Sequence, residues 1–302
     1  MQSKDRIIGI DIGGTNFRIG AVDKEGNITM FRKIPVRSVF QSGQPLVDLG
    51  EYLKSYIKEL KEETLRITAI SIGFPATLDR ERQRVLQAPN ISFMENLPVV
   101  ETLTEILKIP VFIERDVTMA LYYDMKKFEL PESEVISGFY IGTGIGNAIF
   151  INGRPLTGKN GSAGELGHIP VDGSDIICGC GNIGCIESLA GGLYLAKLQK
   201  NNYPETPIGN LFTEHGKEFL LTQYIDRVAM AIATEINILN PDYNLVGGGV
   251  PAMPDFPQDL LLERILLHTR KPYPAEDLNV IFTGDRPEKC VVGAAYYASD
   301  KL

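Results

Sequence analysis

The pattern of hydrophobic and polar residues changes along the chain between the two-residue period of strands and the 3.6-residue period of helices. The order of these segments predicts an α/β protein. Short apolar or alternating runs at 6–12, 16–22 and 28–36 predict three strands joined by turns. From 45 to 63, apolar residues recur at helical spacing, and a strand-like run returns at 67–73. The N-terminal third is therefore expected to form a small sheet of sequential strands, continued by a helix and a further strand.

The same layout begins again in the middle of the chain. A strand at 135–141 is followed by a glycine-rich turn and a second strand that ends near Ile151. The other segments with clear periodicity are helices at 99–107, 117–128, 221–239, 256–267 and 287–298, and strands at 110–113 and just before 247–249. This repetition indicates two related α/β halves. We expect a smaller N-terminal domain of residues 1–117, completed by a C-terminal helix at about 287–302, and a larger domain of residues 118–286.

The composition narrows the possible function classes. With 38 acidic and 30 basic side chains the formal charge is −8, which argues against general binding of nucleic acids or anionic membranes, because clustered Lys and Arg provide that affinity. Hydrophobic residues make up 44% and charged residues 23%, as in ordinary globular proteins. No stretch approaches the roughly 18 uninterrupted apolar residues of a membrane span, and the N-terminus lacks the pattern of a secretory signal. We therefore expect a cytoplasmic protein.

Three glycine-rich turns follow predicted strands, at Asp11–Thr15, Gly142–Gly146 and Gly247–Gly249. Glycine permits positive φ and lets backbone N–H groups approach an anion, so such turns can hold phosphate groups. A plain hairpin or strand-end turn is the alternative for each one, but three together favour nucleotide binding. Two common nucleotide-binding motifs do not fit this sequence. In a P-loop-like segment at 153–160, Asn160 replaces the Ser or Thr that binds Mg²⁺. The dinucleotide-binding pattern G-x-G-x-x-G is absent around Gly142–Gly146, where a strand follows instead of the helix that this motif needs.

Three of the four cysteines are crowded between positions 178 and 185. In a reducing compartment such crowding indicates a metal site more than a disulfide framework. Together with His168, the thiols of Cys178, Cys180 and Cys185 form a Cys₃His set, which is typical of tetrahedral zinc. Four protein ligands leave no open position, so the zinc is expected to be structural. The alternative is a set of free cysteines with a hydrogen-bonding histidine.

Carboxylates close to the glycine turns are the candidates for catalysis and substrate binding. They are Asp11, Asp116, Glu165 and Glu187. Asp11 ends a strand that reads as buried, where a charge needs a partner such as a hydrated metal ion. For each of the others, a helix cap or a solvated surface charge is the alternative interpretation.

These motifs, in this order along the chain, resemble those of the ROK family of bacterial sugar kinases and repressors. The segments that carry the resemblance are Asp11–Thr15, Ile141–Gly146, Gly164–His168, Cys178–Glu187 and Gly247–Gly249. The resemblance implies an actin-like, ribonuclease-H-like duplicated α/β fold with two domains around a central cleft. It also implies an ATP:hexose phosphotransferase that uses Mg²⁺, carries structural Zn²⁺ and forms a homodimer. Its partners would be small molecules, ATP and a hexose, with no nucleic acid and no membrane.

The resemblance further gives roles to residues of this sequence, with Asp116 matching the family's catalytic base. The sugar-binding set it implies is Asn90, Glu165, His168 and Glu187, together with Asp116, and Arg115 is a further candidate because it lies directly before Asp116. The set implied for ATP and its Mg²⁺ is Asp11, Gly13, Gly14, Thr15, Thr143, Gly144 and Gly248. His168 would bind zinc through one ring nitrogen and sugar through the other, because the nitrogen opposite a metal normally donates a hydrogen bond.

Arg115 departs from the family's pattern. Glucokinase-like members have Asn before the catalytic Asp, and an arginine offers several donors and no acceptor, which changes the sugar hydroxyls that can be satisfied. Segments 73–76, 114–117 and 253–257 resemble the allose-specific members. We therefore expect phosphorylation of a hexose at the 6-hydroxyl, with D-allose preferred and N-acetylmannosamine or glucose as alternatives. Arg115 could instead pair outward with Glu114 at the surface.

Two alternatives lack catalysis. Repressors of the same family carry an N-terminal winged helix-turn-helix, whereas the first strand here begins by Arg6, which leaves no room for such a domain. A zinc-bearing scaffold that binds nucleotide would share every motif. Only sugar-dependent release of ADP separates that scaffold from a kinase.

Overall fold

The computed structural model describes residues 4–302. Within that range the strands are β1 Asp5–Ile12, β2 Asn16–Val22, β3 Ile28–Pro35, β4 Arg66–Phe74, β5 Thr77–Leu78, β6 Val85–Gln87, β7 Val111–Arg115, β8 Val135–Ile141, β9 Ile145–Ile151, β10 Arg154–Pro155, β11 Tyr243–Gly247 and β12 Val280–Phe282. The α-helices are α1 Pro45–Glu62, α2 Val99–Leu107, α3 Asp116–Lys127, α4 Glu187–Ala190, α5 Gly192–Asn202, α6 Leu211–His215, α7 Phe219–Leu239, α8 Gln258–His268 and α9 Lys289–Ser299. Among the described residues, no helix is both long enough and apolar enough to cross a membrane.

The first sheet has the strand order β3-β2-β1-β4-β7. β1 pairs antiparallel with β2 and parallel with β4, so the sheet opens with a hairpin and continues with strands that need crossover connections. β1 has apolar contacts on both faces: Ile8 lies in the main core with residues of α1, whereas Ile7 packs against a cluster that includes Val291 of α9. These contacts on both faces are why the strand reads as a continuous apolar run in the sequence.

The second sheet repeats this arrangement, with the order β10-β9-β8-β11-β12. β8 pairs antiparallel with β9 and parallel with β11, just as β1 pairs with β2 and β4. The long helix α7 packs on this sheet, because its Val228 and Ile232 share a core with Phe139 of β8. The duplicated α/β fold expected from the sequence is confirmed.

The chain divides into two compact units. The first contains the described residues up to Leu130, with Thr157–Ala163 and Arg286–Leu302, and the second contains Pro131–Leu156 and Gly164–Asp285. The boundary expected at 117 falls inside α3, whereas this division keeps the whole of α3 in the first unit, where it packs against α9. The contact is close, because a Cβ added at Gly293 of α9 would lie 1.8 Å from the carbonyl oxygen of Met119 in α3.

Candidate active site

The β1–β2 hairpin carries the first candidate group. Asp11 is only 7% exposed and is paired with Arg18 across the two strands. Arg18 Nη1 lies 2.5 Å from Asp11 Oδ2, which makes a charge-assisted hydrogen bond. Burial raises the pKa of Asp11, and the guanidinium of Arg18 opposes that rise. The motifs do not single out Arg18, although its place opposite Asp11 in a tight hairpin could have indicated the pair.

The turn of this hairpin lies against a second candidate residue. The N–H of Gly13 donates to the carbonyl oxygen of Asn16 at 2.9 Å, which closes the turn. A Cβ added at Gly14 would lie 3.1 Å from the carbonyl oxygen of Asn90, so the two backbones approach closely. Asn90 belongs to a short 3₁₀ segment at Pro89–Met94. The structure therefore brings the expected phosphate turn next to an expected sugar-binding residue.

Asp116 is the first residue of α3 and follows β7 directly. Its Oδ1 accepts a hydrogen bond of 2.8 Å from the N–H of Val117, while Arg115 occupies the N-cap position. Partial burial raises the pKa of Asp116 to about 7, and the negative charge of Asp11 adds to the rise. A carboxyl group with this pKa can exchange a proton near neutral pH, as a general base must.

A half-buried thiol lies next to Asp116. Cys290, in the first turn of α9, has its Sγ 3.7 Å from the carbonyl oxygen of Asp116, a residue 174 positions away in sequence. Burial raises the pKa of the Cys290 thiol well above its usual range, and the charges of Asp11 and Asp116 raise it further. Cys290 is therefore a neutral thiol at physiological pH. No sequence pattern connects it to the site.

Arg115 points into the protein. Its Nη1 donates to the carbonyl oxygen of Ala163 at 2.6 Å, and the residue is 9% exposed. Glu114 is almost fully buried, accepts the N–H of Arg115 at 2.8 Å, and pairs with Arg82 at 2.9 Å. The alternative of an outward Arg115–Glu114 pair at the surface is therefore wrong. The sequence offered no means of choosing between the two arrangements, since exposed arginines are common.

The second unit places another glycine turn beside a carboxylate. The N–H of Gly142 donates to the carbonyl oxygen of Gly144 at 3.0 Å, which closes the turn between β8 and β9. Glu187 Oε2 accepts the N–H of Ile145 at 2.9 Å. A Cβ added at Gly144 would lie 1.9 Å from that same Oε2, so a larger residue here would displace the Glu187 carboxylate. Thr143, an expected nucleotide residue, and Glu187, an expected sugar residue, are thus part of one local structure.

Gly248 lies immediately after β11, the parallel neighbour of β8. Its φ of +98° is in the region that favours glycine, and a Cβ would lie 2.5 Å from the carbonyl oxygen of Ile141 at the end of β8. Two glycine turns therefore meet at the carboxyl ends of adjacent parallel strands. In open α/β sheets this edge is where ligands commonly bind.

The four expected zinc ligands come together in the second unit. The ligand atoms of His168, Cys178, Cys180 and Cys185 all lie within 4.8 Å of one another. His168 Nδ1 lies 3.7 Å from Cys178 Sγ, whereas its Nε2 lies 3.6 Å from a carboxylate oxygen of Glu165. One ring nitrogen therefore faces the thiols and the other faces an expected sugar residue. The donor set fits a tetrahedral Cys₃His metal centre.

The expected site residues fall into two groups. The first unit holds Asp11, Gly13, Gly14, Thr15, Asn90, Arg115 and Asp116, and the second holds Thr143, Gly144, Glu165, His168, Glu187, Gly248 and the three cysteines. Each group contains a glycine turn and at least one carboxylate next to it. This distribution repeats, at the level of side chains, the duplication seen in the sheets.

Comparison with known proteins identifies the family. A sequence model described as the ROK family matches residues 7–301. The glucokinase of Thermotoga maritima is 28% identical over 274 residues, which are 82% of this chain and 83% of the relative. An N-acetyl-D-glucosamine kinase of Salmonella paratyphi A is 26% identical over 261 residues, which are 80% of this chain and 83% of the relative.

A solved structure supports the same conclusion. The ROK family glucokinase from Streptomyces griseus, crystallised with glucose and AMPPNP, matches this fold with a TM-score of 0.75 and 25% identity, covering 98% of this chain and 99% of that one. The expected actin-like α/β fold is thereby confirmed. Because the family match spans nearly the whole described chain, this protein belongs to the ROK family.

Proposed function

We propose that the protein is an ATP-dependent sugar kinase that phosphorylates the 6-hydroxyl of a hexose, with Asp116 as its general base. The observation that carries the proposal is the half-buried carboxyl of Asp116, whose pKa is raised to about 7, in the same unit as the Asp11–Arg18 hairpin. Relatives named as kinases of glucose and of N-acetyl-D-glucosamine support the reaction class.

In this proposal the Asp116 carboxylate accepts the proton of the sugar hydroxyl while the hydroxyl oxygen attacks the γ-phosphorus of ATP. A new P–O bond forms to the sugar, the bond to the β-phosphate oxygen breaks, and ADP leaves. The backbone amides of Gly13–Thr15 and of Thr143–Gly144 stabilise the phosphoryl oxygens, and Gly248 allows close approach of the adenosine. The Mg²⁺ that accompanies ATP neutralises phosphate charge, and Asp11 would hold it through water.

The hexose itself would be held by hydrogen bonds. We assign its hydroxyl contacts to Asn90, Arg115, Asp116, Glu165, His168 and Glu187. Support for His168 comes from its geometry, since Nε2 faces Glu165 while Nδ1 faces the thiol of Cys178. A ring nitrogen opposite a metal normally donates a hydrogen bond, and a sugar hydroxyl can accept it.

The Cys₃His cluster is proposed to hold structural zinc. Burial raises the pKa of the Cys185 thiol to about 12, so the thiolate needs a cation to be stable there. Zinc supplies that charge, and the four ligands would then cross-link a loop that contains few elements of regular structure. Glu187 connects this loop to the glycine turn, because its other carboxylate oxygen lies 4.0 Å from Cys178 Sγ.

For the substrate we propose D-allose, with N-acetylmannosamine and glucose as alternatives. Arg115 replaces the Asn of glucokinase-like members, and its guanidinium donates inward rather than to solvent. Sites with fixed donors discriminate strongly between epimers, because a mismatched sugar leaves polar groups unpaired. A homodimer, measurable by light scattering, is part of the same proposal.

The test is sugar-dependent release of ADP with allose, glucose, mannose and N-acetylmannosamine. We expect the highest kcat/KM for allose and a shift of the ratios towards glucose in Arg115→Asn. Arg84→Asn is the matched control, because Arg84 also donates to a backbone carbonyl but is exposed. Release of ADP with glucose and not with allose would remove the preferred substrate. Sugar binding without any ADP release would instead favour a sensor or a nucleotide-binding scaffold.

A further inference from the structure

Glu114 is the centre of a buried hydrogen-bond network in the first unit. Its side chain is 1% exposed, and each of its oxygens has a separate partner. Oε2 accepts from Arg82 Nε at 2.9 Å, and Oε1 accepts from the backbone N–H of Arg115 at 2.8 Å. A buried carboxylate is tolerated only with such compensation. Because Asp116 is the next residue after Arg115, this bond restrains the backbone at the proposed general base.

Arg82 lies in the turn between β5 and β6. Its φ is +55°, an uncommon conformation for a residue with a side chain. Besides the bond to Glu114, its Nη1 donates to the carbonyl oxygens of Asp79 and Gly161, both at 3.0 Å. The side chain is 10% exposed, so these contacts are made largely out of water. Arg82 thus connects its own turn and Glu114 to a distant stretch of chain.

That stretch is the 157–163 segment, which belongs to the first unit although the chain on both sides of it belongs to the second. The N–H of Ala163 donates to the carbonyl oxygen of Thr157 at 3.1 Å and closes the segment into a loop. Two guanidinium groups hold its end: Arg82 bonds Gly161 and Arg115 bonds Ala163. A Cβ at Gly161 would lie 2.6 Å from the carbonyl oxygen of Leu78, so the segment also packs tightly.

We propose that Arg82 and Glu114 are positioning residues of the sugar site. Their ion pair acts through the backbone of Arg115 on Asp116, and through the 157–163 segment on the loop that reaches Glu165 two residues later. This inference rests on the proposed kinase function. It differs from a purely structural ion pair, because Glu114 Oε1 bonds the backbone of Arg115, next to Asp116, and both guanidinium groups bond backbone carbonyls of the 157–163 segment.

The first experiment separates sugar binding from nucleotide binding. In Arg82→Met we expect KM for the hexose to rise about tenfold or more while KM for ATP stays within about twofold, because displacement of the Arg115–Asp116 backbone weakens proposed hydrogen bonds to the sugar, and the loss of about one such bond corresponds to roughly a tenfold change in affinity. Glu114→Gln keeps an acceptor for the N–H of Arg115 and should have a smaller effect in the same direction. The double variant should show less than the sum of the two effects, since both remove one interaction.

Arg32→Met is the matched control. Arg32 also pairs with a carboxylate, that of Glu59, but the pair is partly exposed and none of its contacts reaches the proposed site. A purely structural role for Arg82 predicts lower melting temperature with both KM values unchanged in the surviving enzyme. That result would overturn the proposal. If Arg82→Met does not fold, Arg82→Lys and Glu114→Gln give the same comparison, and unchanged KM values in both would equally refute it.

A second measurement does not depend on activity. Lys159 is exposed within the 157–163 segment and offers trypsin a cleavage site. We expect trypsin to cleave after Lys159 faster in Arg82→Met than in wild type or Arg32→Met. This ranking of cleavage rates should hold both with and without sugar. Equal cleavage rates would contradict the restraint. Wild-type protein without sugar-dependent ADP release would overturn the kinase proposal and this one together, whereas normal turnover with unchanged variants overturns only the positioning role.

Discussion

Replacement of Asp116 by asparagine should affect activity and stability in opposite directions. The amide keeps an acceptor for the N–H of Val117 but cannot take a proton from a sugar hydroxyl. Loss of a general base lowers kcat by about 10²–10⁴-fold. The introduced amide is uncharged, however, so the folded state no longer has to keep an ionised carboxylate partly buried beside Asp11. The substitution should therefore stabilise the fold at alkaline pH.

The magnitude follows from the pKa. The pKa of Asp116 rises from 3.8 to about 7, so between these values the folded protein keeps a proton that the unfolded chain releases. Its contribution to the free energy of unfolding consequently falls as pH rises through this window and stays low above it. At about 1.4 kcal/mol per pKa unit the upper bound is about 4 kcal/mol. Relaxation and water penetration reduce it, so we expect a gain of about 1–3 kcal/mol for Asp116→Asn at pH 8.

Urea unfolding of wild type and variant at pH 4 and pH 8 measures this difference, alongside steady-state ADP release. The two proteins should have nearly equal stability at pH 4 and diverge at pH 8. Asp48→Asn is the control of opposite sign: hydrogen bonds from the Ser42 side chain, and then from the N–H groups of Ser42 and Gln41, hold the pKa of Asp48 below the ordinary value. It should therefore lose stability at pH 8. Near-normal turnover of Asp116→Asn would place the base elsewhere, and a loss of stability at pH 8 would refute the electrostatic reasoning.

Three further predictions concern the same molecule. The kcat/KM of wild type should rise with pH through an apparent pKa near 7 and then level, because Asp116 must be deprotonated to act as base; a flat profile from pH 5 to 8 would exclude this assignment. Wild type should contain about one zinc per chain by elemental analysis, and Cys180→Ser should lose the metal and melt at a lower temperature; a metal-free, fully active wild type would contradict the zinc centre. Glu235 in α7 is buried, which raises its pKa to about 7, so Glu235→Gln should unfold at higher urea than wild type at pH 8 but not at pH 4; equal midpoints at pH 8 would refute this reasoning.

Most of the fold could be predicted because its long elements have strong periodicity. The expected strands at 6–12 and 16–22 agree closely with β1 and β2, and the expected helix at 221–239 agrees with α7. The short strands could not be predicted: β5 has two residues and β6 has three, which is too few for a hydrophobic periodicity to be recognised. Helix α5 is not apparent from the sequence pattern either, because it buries only Leu195 and Leu198 while the apolar Leu193 is exposed.

The candidate site was predictable in composition but not in its contacts. Motifs single out Asp11 and Asp116, yet their electrostatic interaction depends on how β1 and β7 lie in one sheet, with β4 between them. Arg115 is visible as a departure from a pattern, but its inward bond to Ala163 joins segments 48 positions apart. Cys290 lies still farther along the chain from Asp116. Sequence motifs report residue types at local spacing, and none of these three relationships is local.

The C-terminal helix α9 connects these observations, because two close backbone contacts hold it against the elements that carry the carboxylates. A Cβ added at Gly9 in β1 would lie 1.9 Å from the carbonyl oxygen of Val291 in α9. A Cβ added at Gly293 in α9 would lie 1.8 Å from the carbonyl oxygen of Met119 in α3. So close a helix covers part of β1 and α3, and it places the neutral thiol of Cys290 3.7 Å from the carbonyl oxygen of Asp116. Removal of water is the largest cause of the raised pKa values of both carboxylates. The glycines therefore have a chemical consequence as well as a packing one: they permit the burial that makes Asp116 basic enough to accept a proton.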